Sequence, residues 1–368
     1  MTRTLLLILE ARWRAQALHP ETTWKGADLA GLLRAVGGLQ AQDAAAAALG
    51  ARARSTGLTA AAVEAARVEA RSIVRTWAMR GTLHLLAADE AAWLTPLLGP
   101  RFVRGQRGRR AQLGLDDAAT EKGVGVIREA LRAQGPLGRE ALRAALKRRG
   151  VSHAGQATIH LIGCAAAAGW VVYGPGAGKD MLFALVEDWA PAAKPAPLPE
   201  DQALAELARR FLGAFGPAGP EDLALWAGVG LGEARQGFAA IAGELHEARM
   251  GDAPVWLPRK RAGWLKASGR RTPIVRLLPA FDNYLIAYAN RDPYLDPAQA
   301  RKVMAGGLIR PALAVNGVVR GLWKTKRSKR RVTVEAAPFA PLKPAEAKGV
   351  EVEAEDVRRF LEEAAPGA

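Results

Sequence analysis

The chain is poor in the residues from which metal and redox centres are built. It has one cysteine, Cys164, in 368 residues, so no internal disulfide can form and a thiolate zinc cluster is excluded. Of the five histidines, His19, His84, His153, His160 and His246, only His160 shares a helical face with Cys164, at i and i+4. Two ligands without a third do not make a zinc site, and the pair reads as a buried polar couple. Long apolar runs are also missing: Leu5 to Leu9 stops at Glu10, far short of the roughly 18 residues of a bilayer span. No small-residue cleavage site follows it, so a cytoplasmic chain without a membrane partner is expected. Nucleotide loops fail as well. Around Gly178 and Lys179 a Walker loop would need glycine and Ser or Thr where the chain has Tyr173 and Asp180. Gly228, Gly230 and Gly232 precede a helix but follow no strand. No metal or cofactor is expected.

What the chain does have is positive charge. Lys and Arg number 52 against 36 Asp and Glu, a net +16, and 39 of the basic residues are arginine. With 49% apolar and 24% charged residues the composition is that of packed domains, two to four at this length. Arginine richness can reflect codon composition, but the charge is uneven. Arg101, Arg104, Arg107, Arg109 and Arg110 sit in one stretch without an acid, and Lys324, Lys326, Arg327, Lys329, Arg330 and Arg331 fill six of eight consecutive positions. Such clusters favour a phosphate backbone as partner.

Apolar spacing predicts a helix over 201–216, ended by Gly216-Pro217, then helices over 221–226 and 233–250 and a short strand at 254–257. The same order occurs earlier, with helices over 121–133, 139–148 and 155–168 and strands at 171–173 and 181–186. The Gly135-Pro136 and Gly216-Pro217 stops lie 81 residues apart, as in a repeated helix-turn-helix-and-wing unit. The turn Gly174–Gly178 then becomes a wing tip that places Lys179 against DNA. Helical patterns at 4–18, 27–36 and 44–55, with a hairpin over 74–86 turned at Arg80-Gly81, suggest a third such unit. Four prolines between Ala190 and Glu200 read as a stiff linker. Short β-type runs follow at 274–278, at 313–319 around Asn316-Gly317, and at 331–336, before an acidic terminal helix over 355–364. The expected segments are 1–117, 118–195, 196–268 and 269–368.

One short stretch stands out, Gly37-Gly38-Leu39-Gln40-Ala41-Gln42-Asp43. Two glycines end a helix, and Asp43 is placed to cap the next by accepting from its free amides. Gln40 and Gln42 would then lie in extended chain, where i and i+2 share a side, and each offers a carbonyl acceptor and amide donors.

Gln40-Ala41-Gln42 resembles the Gln-apolar-Gln catalytic motif of the AlkZ-type DNA glycosylases, a winged-helix DNA-binding family. Trp77–His84, Leu277–Asp282 and Gly321–Trp323 also resemble family signatures, so the likeness spans roughly residues 30 to 340. A sister branch carries Asp in place of the second glutamine; here that position is Gln42. The resemblance implies an α+β, mainly helical fold of three tandem winged-helix units and a C-terminal β-rich lobe, arranged as a C-shaped cradle for duplex DNA. It implies monofunctional excision of cationic alkylpurines such as N7-alkylguanine and, in some members, unhooking of interstrand crosslinks, without metal or cofactor. Gln40 and Gln42 are the expected catalytic pair, with Asp43 and His84 in support, in a monomer that is nucleoid-associated when bound to DNA. Arg80, the two basic clusters and Lys179 are the expected DNA contacts. The competing readings are a non-catalytic DNA-binding regulator or architectural factor, since fold does not fix function, and a basic face that binds RNA.

Overall fold

Helices form where an apolar stripe recurs at helical spacing and a polar residue stands ready to cap it. Three of them open the chain: α1 (Arg3–Ala15) capped by Thr2, α2 (Leu29–Val36) capped by Asp28, and α3 (Ala44–Ala53) capped by Asp43. The short strand β1 (Leu39–Gln40) lies between the last two. The computed structural model describes residues 2–176, 181–266, 272–328 and 331–363, and the fold is α+β and mainly helical. Among the described residues no helix is long and apolar enough to cross a membrane, and no cluster of three His, Cys, Asp or Glu side chains could hold a metal ion.

The chain divides into two compact units. The first comprises Met1–Glu64, Leu204–Trp226 and Gly230–Ala368. Its sheet is antiparallel, in the order Arg331–Pro338, Val318–Ser328, Ala312–Val315, Val275–Leu278. The terminal helix Pro344–Glu363 covers it through Ala354 and Val357, which pack on Val275, Leu277, Leu313, Val315 and Trp323. That helix is longer than its acidic half suggests. Gly349 and two valines weaken its propensity, but Gly349 lets the helix approach closely, since a Cβ there would stand 2.5 Å from Val275. The other core of this unit is aromatic: Phe211 stacks on Phe215, Trp226 and Tyr294 pack tilted against Phe215 and Tyr284, and Tyr288 meets Phe215 and Tyr284 edge to face. The fully buried Arg12 lies 3.8 Å above the Tyr288 ring and donates to Pro217 O at 2.9 Å.

The expected helix over 233–250 breaks in two. Leu231–Ala240 is helical, but Leu245–Met250 is a strand paired with Ala253–Pro258. Cross-strand pairing overrides a helix-compatible sequence once the turn around Gly243 has stopped the helix.

The second unit comprises Ala65–Ala203 and Ala227–Val229. Helices Asp117–Gln134, Arg139–Arg148 and Ala157–Ala167 enclose a core of Val124, Ile127, Leu131, Leu142, Leu146, Leu161 and Ile162. The hairpin Ile73–Trp77 and Leu83–Ala87 joins the strands Val171–Tyr173 and Phe183–Leu185 through the pair Arg75 and Tyr173. The 1–117 segment therefore contributes to both units. Helix Ala88–Gly105 crosses Ala157–Ala167 at Gly99, where a Cβ would meet Ala167 O at 2.0 Å. The proline-rich stretch does not span open space: Pro191–Ala193 is a 3-10 turn, and Ala196 N donates to Ala92 O at 2.8 Å.

Candidate active site and nucleic-acid interface

The Gln-Ala-Gln stretch belongs to the first unit and is fixed at both ends by local chemistry. α2 stops because Gly37 and Gly38 both take positive φ, +75° and +73°, and return their amides to Leu33 O, an arrangement open to glycine at little cost. At the other end Asp43 Oδ1 accepts from Ala45 N at 2.9 Å and Ala46 N at 3.1 Å, as the cap requires. Between them only Leu39–Gln40 is strand, the chain bends at Gln42 before the cap, and Gln40 is half-buried, Ala41 buried and Gln42 exposed.

The stretch is held from the side by a residue that sequence reasoning missed. Asn283, 1% exposed, donates from Nδ2 to Gly38 O at 2.5 Å and accepts at Oδ1 from Gln40 N at 3.2 Å. One carboxamide thereby reproduces the two-bond pattern of a neighbouring strand. Asn283 is itself anchored, because the preceding Asp282 accepts from Tyr284 N at 2.9 Å and forms a fork with Arg54 at 2.7 and 2.8 Å. Arg54 and Asp282 are fully buried, and Arg54 also donates to Gln16 Oε1 at 2.9 Å and Gly50 O at 3.1 Å. Two residues earlier Arg52 reaches Leu277 O at 3.0 Å, Glu353 at 3.2 Å and Asp356 at 3.1 Å. At the end of α3, Arg52 thus ties the helix to the strand Val275–Leu278 and the terminal helix, and Arg54 ties it to Asp282 and α1. The sequence signatures now have structural roles: Leu277–Asp282 carries the anchor, and Trp323 donates from Nε1 to Leu278 O at 2.6 Å.

A family model described as DNA glycosylase AlkZ-like matches residues 33–360. The chain belongs to the AlkZ-like DNA glycosylase family. This glycosylase is 28% identical over 370 residues to the "Interstrand DNA cross-link repair glycosylase" of Streptomyces sahachiroi, with 95% of this chain and 94% of that protein covered. The solved structure of Streptomyces sahachiroi DNA glycosylase AlkZ matches with a TM-score of 0.80 at 24% identity, covering 97% of this chain and 96% of that one. At that identity the structural likeness speaks for the fold.

His84 and Arg80 belong to the second unit of the glycosylase. His84 is 1% exposed, and burial together with the Arg80 charge pushes its pKa down to about 3. The imidazole is therefore neutral at physiological pH. Its Nδ1 stands 3.0 Å from Thr82 O, which fixes the proton on Nδ1. Arg80 sits half-buried on a tight turn with φ +56°, its pKa lowered to about 10 by burial, and still carries charge at neutral pH.

The arginines from 101 to 110 do not form one surface. Arg110 is 2% exposed and donates to Val103 O, which removes its side chain from the expected phosphate contacts. Arg101 donates to Leu97 O and pairs with Glu200 at 2.8 Å. Arg104, Arg107 and Arg109 are exposed. Arg107 pairs with the exposed Asp117 at 2.7 Å, and Arg109 donates to Gln112 and Gln156, both at 2.9 Å. Exposed pairs of this kind are worth about 0–1 kcal/mol, so a phosphate can replace the carboxylate. In the other cluster Lys324, Lys326, Arg327 and Arg331 are exposed on the hairpin formed by the two longest strands. Lys324 and Lys326 share Glu335 at 3.3 and 2.6 Å, while Arg327 donates to Leu361 O. The expectations on Lys179, Lys329 and Arg330 lie outside the described residues.

Proposed function

We propose that the protein is a monofunctional DNA glycosylase that hydrolyses the N-glycosidic bond of cationic alkylpurines, of the N7-alkylguanine type, in DNA repair, with Gln40 and Gln42 as its catalytic residues. What carries the reading is the clamped Gln-Ala-Gln stretch: its backbone is held by Asn283 and the Asp43 cap, while its two carboxamides flank a buried Ala41.

An N7-alkylated purine is already positive, so the C1′–N9 electron pair can leave with the base as a neutral product and no general acid is required. Water adds to C1′ from the far face, and its proton passes to solvent. A glutamine carbonyl can accept a hydrogen bond from that water and turn its dipole toward the developing oxocarbenium charge, which is positioning and electrostatic stabilisation. It cannot take up the proton, so uncharged damaged bases should be poor substrates. Unhooking of interstrand crosslinks fits the name of the Streptomyces sahachiroi relative and the exposure of Gln42, since a base tethered to the opposite strand cannot be flipped freely into an enclosed pocket.

The same reading takes the chain as three winged-helix units over 1–117, 118–195 and 196–268 with a β-rich lobe over 269–368, forming a C-shaped cradle around duplex DNA. It is supported by the repeated order of three helices and a hairpin in 117–185 and 200–258. Arg80, Arg101, Arg104, Arg107, Arg109, Lys324, Lys326, Arg327 and Arg331 are the proposed phosphate contacts, in a monomer that works in the cytoplasm.

The test is release of base from duplex carrying N7-methylguanine under single-turnover conditions. Gln40→Ala and Gln42→Ala should each abolish or strongly reduce release while leaving duplex affinity nearly intact, because the carboxamides act mainly in the transition state. Wild-type release by both variants would overturn the roles given to Gln40 and Gln42, and no release by the parent protein from any alkylated duplex would favour a DNA-binding regulator.

A further inference from the structure

We propose that a cationic groove outside both basic clusters of the sequence binds the DNA phosphodiester backbone flanking the reacting nucleotide. The groove has a volume of about 370 Å³ and is lined by Arg34 of α2, by Arg209 and Arg210 of the helix Glu200–Phe215, and by Arg259, Lys260 and Arg261. All of these belong to the first unit, which also carries Gln40 and Gln42.

The cations are pre-arranged. Glu244 forks onto Arg209 at 2.9 and 2.8 Å, and Glu206 takes Arg209 and, at 3.0 Å, Arg210. These pairs fix two guanidinium groups and use up the nearby carboxylates. Arg259 instead donates to Gly243 O at 3.2 Å, and Arg261 to Gly213 O while lying 4.6 Å from the Trp264 ring. Carbonyls orient those guanidinium groups without neutralising them, so the groove keeps an excess of positive charge. Burial lowers the pKa of Arg261, a cost that an incoming anion offsets. One wall is open to a backbone, because a Cβ on Gly213 would meet nothing within 4 Å.

The chemistry fits a phosphodiester chain better than a free nucleotide. Apart from the charged groups, the lining is aliphatic, with Leu212, Ile241, Leu245 and Pro258. It offers no aromatic face to stack a base, whereas phosphates need only cations and donors. Location follows from the chain itself. Arg34 precedes Gln40 by six residues, so their Cα atoms are at most about 22 Å apart. With about 6 Å of side chain added at each end and 3.4 Å of axial rise per nucleotide, a phosphate held by Arg34 lies within roughly ten nucleotides of the reacting one.

This inference rests on duplex DNA as the partner and not on the roles of Gln40 and Gln42. Arg259→Glu/Lys260→Glu reverses two exposed charges, and the urea midpoint of the variant confirms that it folds. Binding to a labelled undamaged duplex should weaken at least tenfold at low salt, and its salt slope should fall by about 1.8, at 0.9 per lost phosphate contact. On a duplex with one alkylated base, a neutral methylphosphonate scanned over the positions within about ten nucleotides of it should at one or more of them weaken binding by the parent protein more than by the variant. An unchanged affinity and slope, or a methylphosphonate effect of equal size in both proteins, overturns the assignment. Absence of base release by the parent protein would count against the glutamines alone, because the groove is read on undamaged duplex.

Discussion

Asn283→Ala removes the clamp on the Gln-Ala-Gln stretch and nothing that touches substrate. The side chain is 1% exposed and makes hydrogen bonds of 2.5 Å to Gly38 O and 3.2 Å from Gln40 N. Losing it leaves one acceptor and one donor without their partner. At about 1–2 kcal/mol for each such group the variant should lose about 2–4 kcal/mol of stability, read as a lowered urea midpoint. Freed of its lateral bonds, Gln40 can move by about an ångström, a displacement that costs on the order of 100-fold in rate. The single-turnover release rate should therefore fall by roughly 10- to 100-fold, with duplex affinity little changed. Asn283→Asp separates positioning from mere packing. The carboxylate can still accept from Gln40 N but opposes Gly38 O, and protonation restores a donor. Its release rate should therefore rise as pH falls from mildly alkaline to mildly acidic, where the parent protein shows no such recovery. If both variants fold and release base at the parent rate at every pH, the backbone clamp has no part in catalysis.

Three further outcomes follow from neighbouring contacts. Asp43→Asn should keep most of the release activity, since an amide oxygen can still accept from Ala45 N and Ala46 N; inactivation as complete as that of the glutamine variants would make Asp43 the general base. Arg54→Met leaves the fully buried Asp282 charge unpaired and should cost about 3–5 kcal/mol, with a large part recovered in Arg54→Met/Asp282→Asn, both read by urea unfolding. His84 has its folded pKa at about 3 against 6.5 for the free imidazole, so the unfolded chain binds the extra proton and stability is lost as pH falls below 6.5. Between pH 7 and pH 5 the loss due to His84 is about 2 kcal/mol, and His84→Leu should show that much less acid sensitivity than the parent protein; equal sensitivity would refute the burial argument.

Local chemistry was readable in the sequence, and distant partners were not. The helix Arg139–Arg148 and the strand Val171–Tyr173 have the bounds that spacing predicts, and Asp43 caps α3 as its position before an alanine run suggests. Gly37 and Gly38 end α2 and open the extended stretch where two glycines in a row imply it. The 233–250 segment misled because its strand half is made by pairing with Ala253–Pro258 and not by its own alternation. Asn283 was invisible for a different reason: it lies 243 residues from Gln40, and a lone asparagine after an Asp reads as a turn. Arg54 and Asp282 are 228 residues apart. The signal that could have pointed to them is the placement of two arginines at the end of an alanine-rich helix, where aliphatic residues would have filled a core more cheaply. Arg110 shows the converse, because charge density alone cannot distinguish an arginine spent on Val103 O from one facing solvent.

The division of charge around the motif bears on the chemistry proposed for it. Beneath the stretch, Arg54 with Asp282, and Arg52 and Arg276 with Glu353, are buried or nearly so and matched in sign. Glu353 also accepts from Leu277 N at 3.0 Å, so its lone pairs are taken up by donors. These carboxylates are committed to Arg52, Arg54, Arg276 and Leu277 N, and the proposed mechanism gives none of them a part in the chemistry. At the surface the stretch offers two carboxamides and the Asp43 carboxylate, whose Oδ1 is occupied by the α3 amides. On the proposed reading such a site lowers the barrier for a leaving group that carries its own positive charge, since a carboxamide gives up no proton as a general acid. On that reading the buried ion pairs act as scaffold, and selectivity for cationic bases would fall to the two carboxamides. It follows that release from N7-methylguanine should vary little with pH across the neutral range, whereas a carboxylate general base would impose a titrating limb on the acidic side.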